Sequence, residues 1–216
     1  MRKRVPNLSR EKESRILAAA QRRFAHYGLA KVTIGEIAGD VGMGKATLYY
    51  YFPTKEEIFK GVIRKEQEEF LAEMRNTLLR KNTAAEKLKT YVESRIRLTR
   101  RLLNLGGFVL RSGGDFSPGF RELVEAFSAQ ELETVTAVVA EGKRSGEFVL
   151  ASPAQSAAMI LHVIQGLRLR HARATLGVSL TPDRSLELER EMRLFVQSLL
   201  YGIATTPNPK TRNQHG

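Results

Sequence analysis

The chain has 216 residues, 42% of them hydrophobic, which suits one sizeable core or a small module joined to a larger one and excludes a disordered tail. Its 35 Lys and Arg against 23 Asp and Glu give a net charge of +12 and a pI near 10.2, a balance that fits a polyanionic partner, nucleic acid or an anionic membrane surface. Cysteine is absent, which rules out disulfides, thiolate metal sites and thiol nucleophiles, and no run approaches the ~18 apolar residues of a membrane span, so a cytoplasmic protein is expected.

Residues 1–8 carry Arg2, Lys3 and Arg4 ahead of Pro6 and read as a flexible basic arm. Such an arm is a solvated tail that can also reach phosphates or a minor groove. Ser9 is placed to cap a first helix whose apolar positions Ile16, Leu17, Ala20, Phe24 and Tyr27 recur at helical spacing, with Gly28 ending it. Thr33 and Glu36 form a capping box that starts a second, short helix. Gly39, Gly42 and Gly44 fall within six residues and make a sharp corner, after which Gly44 caps a third helix running to Phe52, where Pro53 stops it. On that third helix Leu48 and Phe52 share one face and can be buried with Val41. Lys45, Ala46, Thr47, Tyr49 and Tyr50 cannot all point inward as well, because successive residues lie about 100° apart. A short helix that exposes such residues has the content of the second helix of a helix-turn-helix, whose first residues reach base edges while hydroxyls and ammonium groups hold phosphates. Charge agrees: residues 1–60 hold twelve Lys and Arg against six Asp and Glu.

The run VGMGKATLYYYFPTKEEIF, extended backwards through IAGDVG to AQRRFAHYGLAKVTI, closely resembles the recognition-helix signature of the TetR family of bacterial transcriptional regulators. The resemblance covers about the first 60 residues strongly and the remainder in outline. It implies base or groove contact at Gly44, Lys45, Ala46 and Tyr49, and phosphate contact at Thr33, Thr47, Tyr50 and Lys55. The chemistry agrees in kind, since lysine donates to guanine or phosphate, the Ala46 methyl can meet a thymine methyl, and Thr and Tyr hydroxyls suit phosphate oxygens. Thr33 has a second reading as a cap alone, and Tyr51 reads as a packed or supporting residue.

The nearest competitor is nucleotide binding, because Gly39 to Lys45 fits the first seven positions of a phosphate-binding P-loop. Ala46 stands where a hydroxyl must hold magnesium, no apolar strand leads into the glycines, and no alternation of strands and helices follows. A non-specific basic nucleic-acid-binding protein is the other alternative; it would bind with steep salt dependence and no sequence preference.

Thr54 and Glu57 start a long helix with Ile58, Phe59, Val62, Ile63, Phe70, Met74 and Leu78 on one side. It runs to about Arg80, long enough to leave the small module and enter a second. Thr83 and Glu86 open another helix, with Leu88, Tyr91, Val92, Ile96 and Leu102 inward. Glycines then bracket a short apolar piece, Phe108 to Leu110. Ser117 and Pro118 begin a helix reaching Gly142, and EGKRSGEF reads as a loop. Ser152, Pro153 and Gln155 launch a helix so apolar around Met159, Ile160, Leu161, Val163 and Ile164 that burial on more than one side is expected. The last helix, about Asp183 to Ile203, carries Leu188, Met192, Phe195, Val196, Leu199 and Ile203 in register.

The expected fold is therefore all-α with about nine helices: a helix-turn-helix domain over 9–53, a helical effector-binding and dimerisation domain over 54–204, and a disordered tail over 205–216. A homodimer through the last two long helices suits a palindromic double-stranded operator, and the resemblance implies the same. His162 and Gln165, three apart on an apolar helix, are candidates to point into an effector cavity with Phe108, Phe127 and Met159; a hydrogen-bonded core histidine and a rim glutamine is the plainer reading. Arg95, Arg97, Arg100 and Arg101 suit an anionic ligand or a solvated face. No metal-ligand spacing, catalytic set or cofactor motif is found, so the expected function is a ligand-responsive regulator, a repressor released by a small-molecule effector, rather than an enzyme.

Overall fold

The computed structural model describes residues 6–102, 104, 118–173 and 182–203. Among them the chain forms eight helices: α1 (Pro6–Tyr27), α2 (Ile34–Asp40), α3 (Lys45–Tyr51), α4 (Lys55–Leu78), α5 (Ala84–Arg101), α6 (Pro118–Ser145), α7 (Pro153–Arg173) and α8 (Pro182–Ile203). The class is all-α as expected, and the apolar piece Phe108 to Leu110 lies outside the described residues. No described helix is long and apolar enough to cross a membrane.

Four of the caps read from sequence, Thr33, Thr54, Thr83 and Ser152, are made. Thr33 and Glu36 bond reciprocally at the start of α2, with the Thr33 amide 2.8 Å from Glu36 Oε2 and the Glu36 amide 3.3 Å from Thr33 Oγ1. Thr83 and Glu86 do the same before α5, while the Thr54 and Ser152 side chains accept from the Glu57 and Gln155 amides. Two boundaries differ from expectation. α1 begins at Pro6, inside the expected arm and ahead of Ser9, because a first-turn proline lacks only an amide that has no helical partner there. α6 continues through Ser145, into the expected loop, with Lys143 and Arg144 in a last turn that favours cations; Gly146, at φ 78°, then stops it.

Close contacts divide the chain into two compact units, one holding residues up to Phe70 with Thr99–Leu123, the other Leu71–Leu98 with Val124 onward. In the first, the α1 stripe Ile16, Ala20 and Phe24 is buried with Val32, Ile37, Ala38 and Leu48, and with Ile58, Phe59, Val62 and Ile63 of α4. Phe24 meets Phe59 edge-on at 5.2 Å. The first half of α4 thus belongs to the same core as the helix-turn-helix, past the boundary expected at residue 53. A buried polar knot completes it: Asn104 Nδ2 donates to the Gln21 carbonyl and to Glu66 Oε1, and Gln21 Nε2 donates to the same carboxylate oxygen.

The second unit buries Met74, Leu78, Leu88, Tyr91 and Val92 with Val135 and Val139 of α6, Ile160, Leu161 and Ile164 of α7, and Leu188, Met192 and Val196 of α8. α7 and α8 pack on each other. Glu147, just past α6, accepts from the Ala84 and Ala85 amides at 3.0 and 3.1 Å and so caps α5 from a distant part of the chain.

Candidate nucleic-acid interface

The corner between α2 and α3 is made by backbone alone. The Gly42 amide donates to the Gly39 carbonyl and the Met43 amide to the Ala38 carbonyl, at 3.1 and 2.9 Å, with Gly42 at φ 65°. A side chain there would strain the backbone by about 1–2 kcal/mol. The turn lets Leu48 sink fully out of solvent beside Val41 and Ile37. Helical geometry then leaves the other α3 residues outward: Gly44, Lys45, Ala46 and Thr47 are exposed, and Tyr49 and Tyr50 are 49% and 60% exposed. Tyr51 is half-buried and meets Tyr50 edge-on at 5.4 Å, a supporting position.

The orientation of α2 is fixed by ionic contacts. Arg23 of α1 donates from Nε and Nη2 to the two carboxylate oxygens of Asp40, at 2.5 and 2.7 Å, and lies 3.3 Å from Glu36. Arg15 donates to the Val41 carbonyl at 3.2 Å. The Arg23 hydrogen bonds hold the Asp40 carboxyl below its ordinary value, and the Thr33 backbone and side-chain bonds, with Arg23, do the same for Glu36. Both acids of α2 are thus engaged by Arg23, and Lys45 adds an exposed ammonium at the start of α3.

The remaining predicted contacts are less free. Thr33 is exposed, but its hydroxyl already donates to Glu36 Oε2 at 2.8 Å, so its cap role is made. Lys55 is partly buried with Nζ 3.4 Å from the Ala30 carbonyl. Lys45, although exposed, runs its side chain back over Gly35 of α2.

The expected effector residues among those described are exposed or half-buried. Met159 is 64% exposed, His162 and Gln165 are exposed beside it on the outer face of α7, and Phe127 is half-buried. Phe108 lies outside the described residues. The α7 stripe is narrower than expected: Ile160, Leu161 and Ile164 take its buried side, and Met159 and His162 point the other way. An open groove of about 410 Å³ in the second unit is lined by Leu78, Leu79, Ala137 and Val138 with Lys87 and Glu141, and none of the expected residues borders it. Among the described residues no group of three His, Cys, Asp or Glu could hold a metal ion.

Sequence reasoning missed a buried polar cluster. Arg95 is 4% exposed and Glu131 1%. Arg95 Nε and Nη2 each lie 2.8 Å from a Glu131 oxygen, and the Tyr91 hydroxyl donates to Glu131 Oε1 at 2.7 Å. In the sequence Arg95 stands in one basic run with Arg97, Arg100 and Arg101. The available signal was spacing, because Leu88, Tyr91 and Arg95 share one helical stripe whereas Arg97 falls on the solvent side.

Residues 16–62 match the family model described as bacterial regulatory proteins, tetR family. A transcriptional regulator of Cytophaga hutchinsonii is similar over 90% of this chain and 99% of its own, at 39% identity and a TM-score of 0.82. Two further crystal structures share the fold. Bacillus subtilis FadR in complex with stearoyl-CoA is 21% identical over 85% of this chain and 96% of its own, at a TM-score of 0.68. A protein of Saccharomonospora viridis in complex with choline is 21% identical over 91% of this chain and all of its own, at 0.71.

Proposed function

The chain belongs to the tetR family of bacterial regulatory proteins, and on that premise we propose that it works as a cytoplasmic homodimeric repressor whose hold on a palindromic operator is set by a small-molecule effector. One observation carries the DNA-reading half. Over the buried Leu48, α3 presents Lys45, Ala46, Thr47, Tyr49 and Tyr50 outward, beside an α2 whose Asp40 and Val41 are held by Arg23 and Arg15. Two tyrosines left about half exposed on a seven-residue helix suit a surface completed by a groove. Lys45, Ala46 and Tyr49 take the base or groove side with the Gly44 backbone, and Thr47, Tyr50, Lys55 and Thr33 the phosphate side.

A second copy supplies the second reader. The support is apolar surface on the last two helices of a single chain: Met159 of α7 and Leu186, Leu194 and Tyr201 of α8 are all at least half exposed. Two copies joined there bury this surface on each other as a four-helix seam.

An effector shifts such a regulator only as far as it prefers the conformation with the wrong reader spacing, and taking the population from mostly bound to mostly free requires about 5.5 kcal/mol of preference. Relatives of this fold hold stearoyl-CoA in one case and choline in another, so the fold leaves the ligand's charge open. Selection from a random duplex pool tests the reading: it should enrich an inverted repeat, and a pool that emerges without sequence preference overturns it.

A further inference from the structure

The α5 helix contributes to the second compact unit up to Leu98 and to the first from Thr99, and Asn104 follows it in the first unit, 2% exposed. There its Nδ2 makes two bonds, one of 2.7 Å to Glu66 Oε1 of α4 and one of 3.0 Å to the Gln21 carbonyl of α1. The second acceptor is main chain. A carbonyl inside a helix serves the amide four residues on and keeps a lone pair to spare, so Asn104 grips the backbone of α1 rather than a side chain that can swing away. The Gln21 side chain is engaged separately: its Oε1 accepts from Lys65 Nζ and its Nε2 donates to Glu66 Oε1, each at 3.0 Å. Glu66 is 1% exposed, and donors to a carboxylate taken out of water make stronger bonds than the same groups at the surface.

Gln21 lies between the two residues through which α1 holds α2. Arg15 donates to the Val41 carbonyl at 3.2 Å, and Arg23 holds the two Asp40 oxygens at 2.5 and 2.7 Å and lies 3.3 Å from Glu36. From Arg15 to Arg23 the helix is a rod of about 12 Å, so a displacement imposed at Gln21 carries both arginines with it. Asp40 and Val41 in turn end α2 and lead into the Gly42 corner from which α3 starts.

We propose that Asn104 is a positioning residue for DNA reading: its grip on the α1 backbone sets where α1 stands, and Arg15 and Arg23 pass that setting to α2 and so to α3. This rests on the DNA-reading proposal above and adds to it a route from the end of α5 to the reader that runs through α1 and not along α4. An effector uses the route only as far as it favours one setting of Asn104 over another.

The test uses the full-length protein, its selected duplex and a double-mutant cycle, because coupling is what separates a relay from a mere neighbour. Asn104→Leu keeps the volume and removes both bonds. We expect the operator affinity of the folded protein to fall at least ten-fold, and amide exchange to quicken in α2 while the first half of α4 keeps its protection. In an Arg23→Met background, where α1 has lost its hold on Asp40, the same substitution should weaken binding three-fold or less. Glu147→Ala uncaps the other end of α5 and is the control for lost stability alone; it should leave operator affinity within two-fold. Should Asn104→Leu fail to fold, Asn104→Ser is too short to reach both acceptors, and a weakening of three-fold or more that shrinks in the Arg23→Met background supports the relay. A loss under three-fold, an equal loss in both backgrounds, or an equal loss from Glu147→Ala overturns the proposal. A wild-type protein that prefers no duplex overturns both this proposal and the DNA-reading one, whereas a wild-type preference that the Asn104 variants retain removes the relay and leaves the reader standing.

Discussion

Lys45 lies across Gly35: a methyl group built on that glycine would stand 2.6 Å from Lys45 Cε and 3.2 Å from its Nζ. The first side chain of α3 is thereby laid along the start of α2, and the absence of a side chain at Gly35 permits it. Gly35→Ala should push the flexible end of Lys45 aside without harming the fold, since alanine favours the helix by up to about 1 kcal/mol over glycine. Operator affinity should fall towards that of Lys45→Ala, and the double variant should be no weaker than Lys45→Ala alone. A Gly35→Ala protein that binds like the wild type while Lys45→Ala weakens would show that the resting position of Lys45 is irrelevant to binding.

Lys45 and Tyr49 are exposed and support no core, so their truncation separates binding from stability. Each substitution to alanine should weaken specific binding by about 1–3 kcal/mol. Thermal unfolding should shift little. Leu48→Ala is the internal contrast: the residue is fully buried, and its loss should destabilise by about 2–5 kcal/mol. Fluorescence anisotropy on a selected operator, paired with chemical denaturation, distinguishes the two patterns.

The carboxyls of Asp40 and Glu36 both sit below their ordinary values, Asp40 chiefly through hydrogen bonds from Arg23 and Glu36 chiefly through those from Thr33. A carboxyl depressed in the folded state contributes stability that is complete above its unfolded value, about 4, and that is lost as the pH falls through the lower folded one. Denaturation midpoints should therefore be flat from pH 7 to about 5 and decline below that. Asp40→Asn should lower the plateau and flatten the decline. A parallel decline in that variant would remove Asp40 from the explanation.

Glu147 offers the same kind of check in the second unit, where it accepts from two backbone amides at the head of α5. Its carboxyl is likewise held low, with burial opposing and the Ala84 and Ala85 amides prevailing. Glu147→Ala should cost about 0.5–2 kcal/mol, the usual consequence of losing a cap. Amide exchange would locate the loss, since the first turn of α5 should lose protection before the rest of that helix.

What was legible in the sequence followed from local rules. Thr33 with Glu36, Thr83 with Glu86 and Ser152 with Gln155 each announce a helix start through bonds made within four residues. The exposed face of α3 followed from the angle between Leu48 and its neighbours. Contacts between distant residues were not legible. Nothing near Arg23 declares that it will reach Asp40, and Glu147 caps a helix that begins 63 residues earlier. Arg95 was read with its charged neighbours because their run outweighed its place on the Leu88 stripe. Met159 and His162 were read inward because α7 is apolar nearly all round, and only packing decides which side of such a helix is covered.

The central claim is that the α3 face reads sequence, and equilibrium binding at about 0.15 M salt measures that claim directly. The full-length protein is titrated into its best selected duplex and into a scrambled duplex of the same length and composition. The account predicts a preference of at least about a thousand-fold for the selected duplex, the lower range for specific DNA-binding proteins, and its collapse in the Lys45→Ala, Tyr49→Ala double variant. Equal affinity for the two duplexes, or a preference that survives in the double variant, would contradict it.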